Sequence, residues 1–158
     1  MGRLAGEWKG NEIMETIRVK KVRPNAMLPT YGSDAAAGAD LYACLETEIT
    51  IAPGETFWVP TGLAVEIPQG CAGLIYARSS LGTKRGLAPA NKVGVIDSDY
   101  RGEIQVVLFN HSDQNQRIVP GERIAQMVIT PVITPSYVEA ESLSDTDRGT
   151  GGFGSTGK

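Results

Sequence analysis

The stretch Glu103-Ile104-Gln105-Val106-Val107-Leu108-Phe109-Asn110 is a short β-rich run whose second half is largely apolar, from Val106 to Phe109. A short apolar run of this kind is expected of a strand that is buried on both of its faces. The segment therefore predicts the centre of the core.

Other short β-rich runs lie on both sides of this segment, separated by Gly and Pro. They are Ile17 to Val22, Leu45 to Ile51, Thr56 to Val59, Gly62 to Ile67, Ala72 to Ala77, Val93 to Ile96, Arg117 to Val119 and Ile124 to Val132. Turn sequences such as Ala52-Pro53-Gly54-Glu55 lie between them, and helix-period stretches of useful length are missing. Repeated strands with turn chemistry between them predict an all-β, antiparallel sandwich or barrel.

The bulk composition predicts one ordinary globular domain. The chain has 158 residues, of which 41% are hydrophobic and 21% charged, and this length supports a single core. We expect a flexible leader at residues 1–13, a β domain at 14–141 and a flexible Gly-rich flap at 142–158. No apolar run approaches the roughly 20 residues that span a bilayer, and the leader has no apolar centre typical of a secretory signal. A cytoplasmic protein without membrane partners is predicted.

The formal net charge of -3 argues against a protein that binds nucleic acid over its whole surface, because such binding depends on many Lys and Arg residues. A nucleotide remains possible, since a pocket needs only local positive charge. Cys44 and Cys71 have no CxxC spacing, and His111 is the only histidine. Neither a zinc site nor a disulfide framework is indicated, and buried free thiols are expected.

Asp97 follows the apolar run Val93-Gly94-Val95-Ile96, and the chain turns and returns through Tyr100-Arg101-Gly102. This pattern predicts a hairpin. A carboxylate where an apolar strand ends can be half-desolvated at the mouth of a pocket, which favours a general base. Taken alone, the motif favours an ordinary Asx turn.

Two further segments contain polar groups suited to phosphate. Arg78-Ser79-Ser80 follows a predicted strand at a short turn, and it offers a guanidinium and two hydroxyls; a surface turn with a solvated Arg is the alternative. Asp40 and Gln126 lie inside otherwise apolar strands, where a buried polar group needs a partner. That partner is either a ligand or another part of the fold.

The tail Gly152-Phe153-Gly154-Ser155-Thr156-Gly157-Lys158 matches the spacing GxxxxGK. That motif depends on a following helix, and the printed sequence stops at Lys158, so a phosphate loop of this type is not expected. Glycine N–H groups with Ser155, Thr156 and Arg148 are still suited to an anion, and Phe153 is suited to stacking on a base. The other interpretation is a flexible end without function.

Taken in order and at this spacing, five segments resemble the trimeric dUTP pyrophosphatases (dUTPases). They are Ala37 to Ala43, Ala77 to Gly82, Asn91 to Gly102, Arg123 to Met127 and Arg148 to Gly154, and the match covers the chain from about Ile17 to Gly157. The resemblance implies a jelly-roll-like β fold and a homotrimer with exchanged C-terminal tails and active sites between subunits. It also implies Mg²⁺-assisted hydrolysis of dUTP to dUMP and pyrophosphate.

The resemblance also implies a role for each site residue. Asp97 would deprotonate the water that attacks the α-phosphorus, and Tyr100 would exclude a 2′-hydroxyl. Asp40 would orient metal-bound water. The uracil edge would be read by Asn91, Gly94, Val95, Ile96 and Gln105, and Phe153 would stack over it. The phosphates would be bound by Arg78, Ser79, Ser80, Gln126, Arg148, Gly154, Ser155 and Thr156.

Two other functions compete with this one. The dCTP deaminases look similar in the Arg-Ser-Ser and Ile-Asp segments, but they need a catalytic Glu where this chain has Val107. A non-catalytic nucleotide-sensing module is the second alternative. The presence of Asp97, Arg78, Tyr100 and Phe153 together favours a working enzyme.

Overall fold

The computed structural model describes residues 16–152. The predicted leader at residues 1–13 and the predicted site residues Phe153, Gly154, Ser155 and Thr156 lie outside the described residues. Within the described range, no helix is long and apolar enough to cross a membrane.

The described residues form short strands and one short helix. The elements are β1 (Val19–Lys21), β2 (Thr30–Tyr31), β3 (Ala39–Tyr42), β4 (Ile49–Ile51), β5 (Thr56–Pro60), β6 (Leu63–Val65), β7 (Cys71–Tyr76), α1 (Ser79–Arg85), β8 (Leu87–Pro89), β9 (Gly94–Ile96), β10 (Gln105–Asn110), β11 (Gln116–Ile118) and β12 (Arg123–Pro131).

The strands pair antiparallel in four sheets. The largest has the order β2-β3-β12-β7-β9, the next β5-β10-β8, and two strand pairs, β1-β6 and β11-β4, complete the set. Neighbouring strands are mostly far apart in sequence, as β12 between β3 and β7 illustrates. The predicted all-β, jelly-roll-like fold is confirmed.

The core lies between the sheets and is filled by aliphatic side chains. Leu41, Val59, Leu63, Leu108 and Ile124 are all fully buried. Such burial contributes about 1.5–3 kcal/mol for each large aliphatic side chain, which makes this apolar layer the main source of stability.

Strand β10 differs from its prediction. Val106 and Leu108 face the core, whereas Val107 and Phe109 are only half-buried. Val107 lies opposite Trp58 of β5, and the Trp58 side chain is 66% exposed. The prediction of burial on both faces is therefore wrong for the single chain, because one face of the three-stranded sheet has no covering layer among the described residues.

The Arg78-Ser79-Ser80 segment also differs from its prediction, because it begins a helix and not merely a turn. Helix α1 buries Leu81 and ends at Gly86, whose φ of 66° is left-handed and whose N–H donates to the Leu81 carbonyl. A Cβ at Gly86 would lie 3.0 Å from the Ser112 backbone nitrogen. One buried apolar residue is too weak a pattern for a helix to be recognised from sequence.

The predicted hairpin around Asp97 is wrong as well. Strand β9 pairs with β7, with Gly94 opposite Ile75 and Ile96 opposite Gly73, and not with the chain that follows it. After β9 the chain turns away from its sheet and reaches β6, where Ile104 donates its N–H to the Leu63 carbonyl at 2.8 Å. The segment after Asp97 is therefore shaped by a turn and not by a ladder of strand hydrogen bonds.

The last strand ends at Pro131, and the domain boundary at residue 141 stays a prediction. Val132 still donates to the Gly70 carbonyl at 2.9 Å. Beyond it, Ile133 is 93% exposed and Tyr137 95% exposed. The described part of the tail therefore stops packing on the β domain of its own chain soon after β12.

Candidate active site

Asp97 lies directly after β9 and lines a cavity of about 490 Å³. The Tyr100 N–H donates to the Asp97 carbonyl at 3.1 Å, which closes the turn. The cavity is lined by Trp58, Val95, Ile96, Asp97, Tyr100, Glu103, Ile104 and Gln105. A carboxylate, a phenol and an exposed amide thus share one apolar-walled space.

The Asp97 side chain is exposed in the single chain, which corrects the expectation that it would be half-desolvated. The cause is the missing return strand, because nothing in the described part of the chain covers the outer side of the turn. Within residues 16–152 of the single chain, nothing desolvates this carboxylate.

Tyr100 is held in a defined position over Gly102. Its hydroxyl donates to the Glu103 carbonyl at 3.0 Å, and a Cβ at Gly102 would lie only 2.5 Å from the Tyr100 Cζ. Gly102 therefore provides the space in which the ring lies.

A smaller cleft of about 110 Å³ adjoins this cavity, and Asn91, Gly94 and Gln105 line it. Val95, Ile96 and Gln105 line both spaces. Lys92 adopts a left-handed φ of 68°, and the tight turn it makes lets Val93 donate to the Asn91 carbonyl at 2.8 Å. This turn brings Asn91 back toward β9.

Strand β9 is an edge strand of its sheet. An edge strand presents unpaired backbone N–H and C=O groups on its free side. Since Gly94 and Ile96 line the cleft next to the Asn91 amide, the arrangement suits a planar ligand that carries alternating donors and acceptors.

Asp40, Gln126 and Tyr76 lie side by side across β3, β12 and β7. The Arg78 Nε donates to Asp40 Oδ1 at 2.7 Å, and the Arg123 Nη1 donates to Asp40 Oδ2 at 3.2 Å. Both oxygens of a largely buried carboxylate are therefore used to hold arginines.

The same cluster lines a cavity of about 200 Å³. Its wall is formed by Gly32, Ala36, Gly38, Asp40, Arg78, Ser79, Arg123 and Gln126. The Gln126 Nε2 donates to the Ala77 carbonyl at 2.9 Å, and a Cβ at Gly38 would lie 2.6 Å from the Gln126 Oε1. Two guanidinium groups and a fixed amide make this a suitable place for an anion.

Sequence reasoning missed Arg123. It singled out Gln126 in Arg123-Ile124-Ala125-Gln126-Met127 because that residue interrupts an apolar run. The register between β3 and β12 shifts between Arg123 and Ala125, so simple alternation along the strand does not reveal that Arg123 reaches Asp40. The only feature of the sequence that points to Arg123 is its position three residues before the polar Gln126.

The remaining predicted residues lie apart from these cavities or at their margins. Ser79 lines the Arg78 cavity, whereas Ser80 is exposed on α1 and does not line it. Arg148 lies in the exposed tail, where its Nε donates to the Gly151 carbonyl at 2.8 Å.

The Asp97 cavity and the Arg78 cavity share no lining residue. Within the described part of one chain, the site residues therefore form two groups, one around β9 and one around Asp40. A ligand that contacts both groups needs either a long reach or residues from two copies of the chain.

The fold is all-β, and the two groups of polar residues suit a ligand with a planar part and an anionic part. A model of the dUTPase family matches residues 24–157. The chain belongs to the dUTPase family.

Curated relatives and solved structures agree with this assignment. The chain is 47% identical over 142 residues to the deoxyuridine 5'-triphosphate nucleotidohydrolase of Syntrophotalea carbinolica, covering 90% of this chain and 97% of the relative. It is 50% identical over 139 residues to the protein of the same name from a Hydrogenobaculum species, covering 88% and 96%.

A mutant dUTPase of Staphylococcus bacteriophage 80alpha with dUpNHpp aligns with a TM-score of 0.81 and 30% identity, over 91% of this chain and 99% of the phage chain. A mutant dUTPase of the S. aureus phage phi11 aligns with a TM-score of 0.71 and 26% identity, over 80% and 97% of the two chains. The description of the second structure refers to a structural Mg(II) ion.

Proposed function

We propose that this chain hydrolyses dUTP to dUMP and pyrophosphate by attack of water on the α-phosphorus. The observation that carries the proposal is the shared cavity of Asp97, Tyr100 and Gln105 at the end of edge strand β9. The reaction keeps uracil out of DNA and supplies dUMP for the synthesis of dTMP.

Uracil recognition rests on the cleft along β9. The backbone of Gly94, Val95 and Ile96, with the amides of Asn91 and Gln105, offers donors and acceptors to the uracil edge. Cytosine presents a different pattern, and a mispaired buried polar group costs about 1–3 kcal/mol. A rigid strand that clashes with the thymine methyl discriminates against dTTP.

Tyr100 provides the discrimination between deoxyribose and ribose. Its ring is held over Gly102 by the hydrogen bond to the Glu103 carbonyl. A ring that cannot retreat leaves no room for a 2′-hydroxyl, so UTP is excluded by shape.

Asp97 acts as the general base. Its carboxylate accepts a proton from the attacking water, and a base positioned in this way contributes about 10²–10⁴-fold to the rate. Because Asp97 is exposed in the single chain, closure over the substrate supplies the desolvation that a base requires. The tail residues Arg148, Phe153, Gly154, Ser155 and Thr156 provide that closure, with Phe153 over the uracil.

The phosphates bind to the Asp40 cluster. Arg78 is fixed by Asp40 at 2.7 Å, so it meets the triphosphate with little loss of side-chain freedom. Ser79 and Gln126, which line the same cavity, add polar contacts, and Arg123 supplies a second positive charge. These groups balance the negative charge that develops on the departing pyrophosphate.

The donor set fits Mg²⁺ only as an ion that arrives with the substrate. Within residues 16–152, no group of three or more His, Cys, Asp or Glu side chains could hold a metal. Mg²⁺ commonly keeps several waters and is bound largely through substrate phosphates; Asp40, whose two oxygens hold Arg78 and Arg123, would orient a metal-bound water and not ligate the ion directly. When bound, Mg²⁺ neutralises phosphate charge and polarises the reacting phosphoryl group.

A homotrimer with active sites between subunits accounts for the two separate groups of site residues. Trp58 is 66% exposed beside Val107 on the uncovered face of the β5-β10-β8 sheet, and Tyr137 is 95% exposed in the tail. Large apolar side chains at this level of exposure favour burial against other copies. Free Cys44 and Cys71 fit a cytoplasmic location, where thiols stay reduced.

The test is a pyrophosphate-release assay on dUTP, dTTP, dCTP and UTP, with and without Mg²⁺. Hydrolysis of dUTP alone, accelerated by Mg²⁺, is the expected result. Equal cleavage of all four nucleotides would contradict the proposed specificity. Ammonia release from dCTP would instead indicate a deaminase, which the apolar Val107 argues against.

A further inference from the structure

Arg101 is held behind the turn that carries Asp97. Its Nη1 donates to the Ser98 carbonyl at 2.7 Å and to the Tyr100 carbonyl at 3.0 Å. One nitrogen therefore joins two backbone carbonyls of the turn. We propose that Arg101 is a positioning residue that fixes the Asp97 turn for catalysis, an inference that rests on the proposed dUTP hydrolysis.

The turn needs such a support because no strand ladder holds it. Strand β9 ends at Ile96 and β10 begins at Gln105, and the chain between them has no return strand. Among the described residues, one backbone hydrogen bond crosses this turn, from the Tyr100 N–H to the Asp97 carbonyl. A charged donor that satisfies two carbonyls adds stronger bonds than a neutral one.

Arg101 does not line the cavity that contains Asp97. Ser98, Asp99 and Arg101 line a groove of about 610 Å³ on one side of the turn, whereas Asp97 and Tyr100 line the cavity on the other side. The two spaces share no lining residue. Arg101 therefore acts through the turn and not by contact with the substrate.

Glu66 lies beside both the Arg101 and the Arg18 guanidinium groups. Its Oε1 lies 3.6 Å from the Arg101 Nη2, and its Oε2 lies 2.6 Å from the Arg18 Nε. The Arg101 pair is half exposed, and exposed ion pairs add little stability. The carbonyl bonds, rather than this ion pair, carry the positioning role.

Arg18 provides a matched control. It forms the shorter ion pair with the same Glu66, and its contacts in the described structure do not include the Asp97 turn. Arg18→Ala removes a neighbouring guanidinium of the same groove while it leaves both carbonyl bonds intact.

The experiment compares Arg101→Ala, Arg101→Gln, Arg101→Lys and Arg18→Ala in steady-state dUTP hydrolysis. Active sites are counted by calorimetric titration with the imido analogue dUpNHpp, so that a partly folded preparation does not distort kcat. For Arg101→Ala and Arg101→Gln we expect kcat to fall about 10²-fold, because a small misplacement of a reacting group has that effect. Affinity for dUpNHpp should change by less than about threefold.

Arg101→Lys should recover most of kcat, because both carbonyl bonds come from a single nitrogen and one ammonium can replace it. Arg18→Ala should have the wild-type kcat. A loss of kcat below tenfold in both Arg101→Ala and Arg101→Gln, or an equal loss in Arg18→Ala, would overturn the inference. So would a loss explained by weaker dUpNHpp binding. If the wild-type protein releases no pyrophosphate from dUTP, the proposed function itself has failed.

Discussion

Asp40 binds Arg78 and Arg123 at the same time, with one carboxylate oxygen for each guanidinium. Thr30 and Gln126 flank Asp40 on the neighbouring strands, so the carboxylate lies in the middle of a polar row on an otherwise apolar sheet. The position of Arg78 therefore depends on a residue 38 positions earlier in the chain.

Replacing Asp40 by Asn should weaken substrate binding more than it slows the chemical step. The Asp40 side chain is 11% exposed, so losing its charge leaves Arg78 and Arg123 without a carboxylate partner, and we expect a loss of about 1–3 kcal/mol in the free energy of unfolding. KM for dUTP should rise. Steady-state kinetics and urea unfolding measure the two effects. Glu48→Gln removes the exposed pair with Arg117 and should change stability by less than about 1 kcal/mol.

Asp97→Asn should retain binding and lose turnover. The amide keeps the size and turn geometry of the carboxylate but cannot accept a proton from water, so the rate should fall by roughly 10²–10⁴-fold. Calorimetry with dUpNHpp and pyrophosphate release check the two parts. Asp99→Asn is the matched control, because Asp99 lies in the same turn but lines the opposite groove. Near-normal turnover of Asp97→Asn would refute the mechanism.

Gly102→Ala should reduce the preference for dUTP over UTP. The new methyl group would overlap the Tyr100 ring and force it away from its hydrogen bond with the Glu103 carbonyl. The ratio of kcat/KM for the two nucleotides measures the effect. Gly82→Ala, whose added Cβ would have its nearest contact at 3.8 Å, should leave the ratio unchanged. An unchanged ratio in Gly102→Ala would mean that the ring does not select the sugar.

The stability contributed by Glu103 should depend on pH. Hydrogen bonding to Arg23 lowers the pKa of Glu103 below its ordinary value of 4.5, although burial opposes the shift. The ionised form is thus favoured in the folded state, so the stabilisation is present above the unfolded pKa and is lost as the pH falls through the folded pKa. Urea unfolding from pH 7 to pH 3 should show the largest difference between wild type and Glu103→Gln at neutral pH. A difference that does not narrow in acid would exclude this explanation.

Deleting residues 148–158 should nearly abolish dUTP hydrolysis and leave the melting temperature little changed. Residues 133–148 are exposed and lie outside the strands, so the end of the tail is not expected to support the core of its own chain. Pyrophosphate release and thermal unfolding, measured on the same preparation, provide the test. A large fall in melting temperature would mean that the tail is structural.

The sequence was sufficient to predict the family and most of the strands, but not β2 and β8 and not how the strands pair. Alternating apolar residues and Gly or Pro turns are local signals, and they identified β7, β9 and β12 within a few residues. The pairing of β9 with β7 joins Gly94 to Ile75, and no turn sequence specifies such a contact. The hairpin prediction failed for this reason.

Candidate residues were found where a polar group interrupts an apolar run, as with Asp40 and Gln126. Arg123 was missed because a cation at a strand end resembles any solvated surface residue, and only the register with β3 brings it to Asp40. The exposure of Asp97 could not be foreseen either, because exposure depends on what covers a turn and not on the turn itself.

The separation of the Asp97 cavity from the Arg78 cavity has a genetic consequence. In the trimer proposed above, no subunit contains a complete active site, and each site combines residues from more than one subunit. Two damaged alleles, one affecting Asp97 and the other Arg78, would then restore some intact sites when expressed together. Activity would then depend on which subunits assemble into the same trimer, and two variants that are each inactive alone would give active enzyme together.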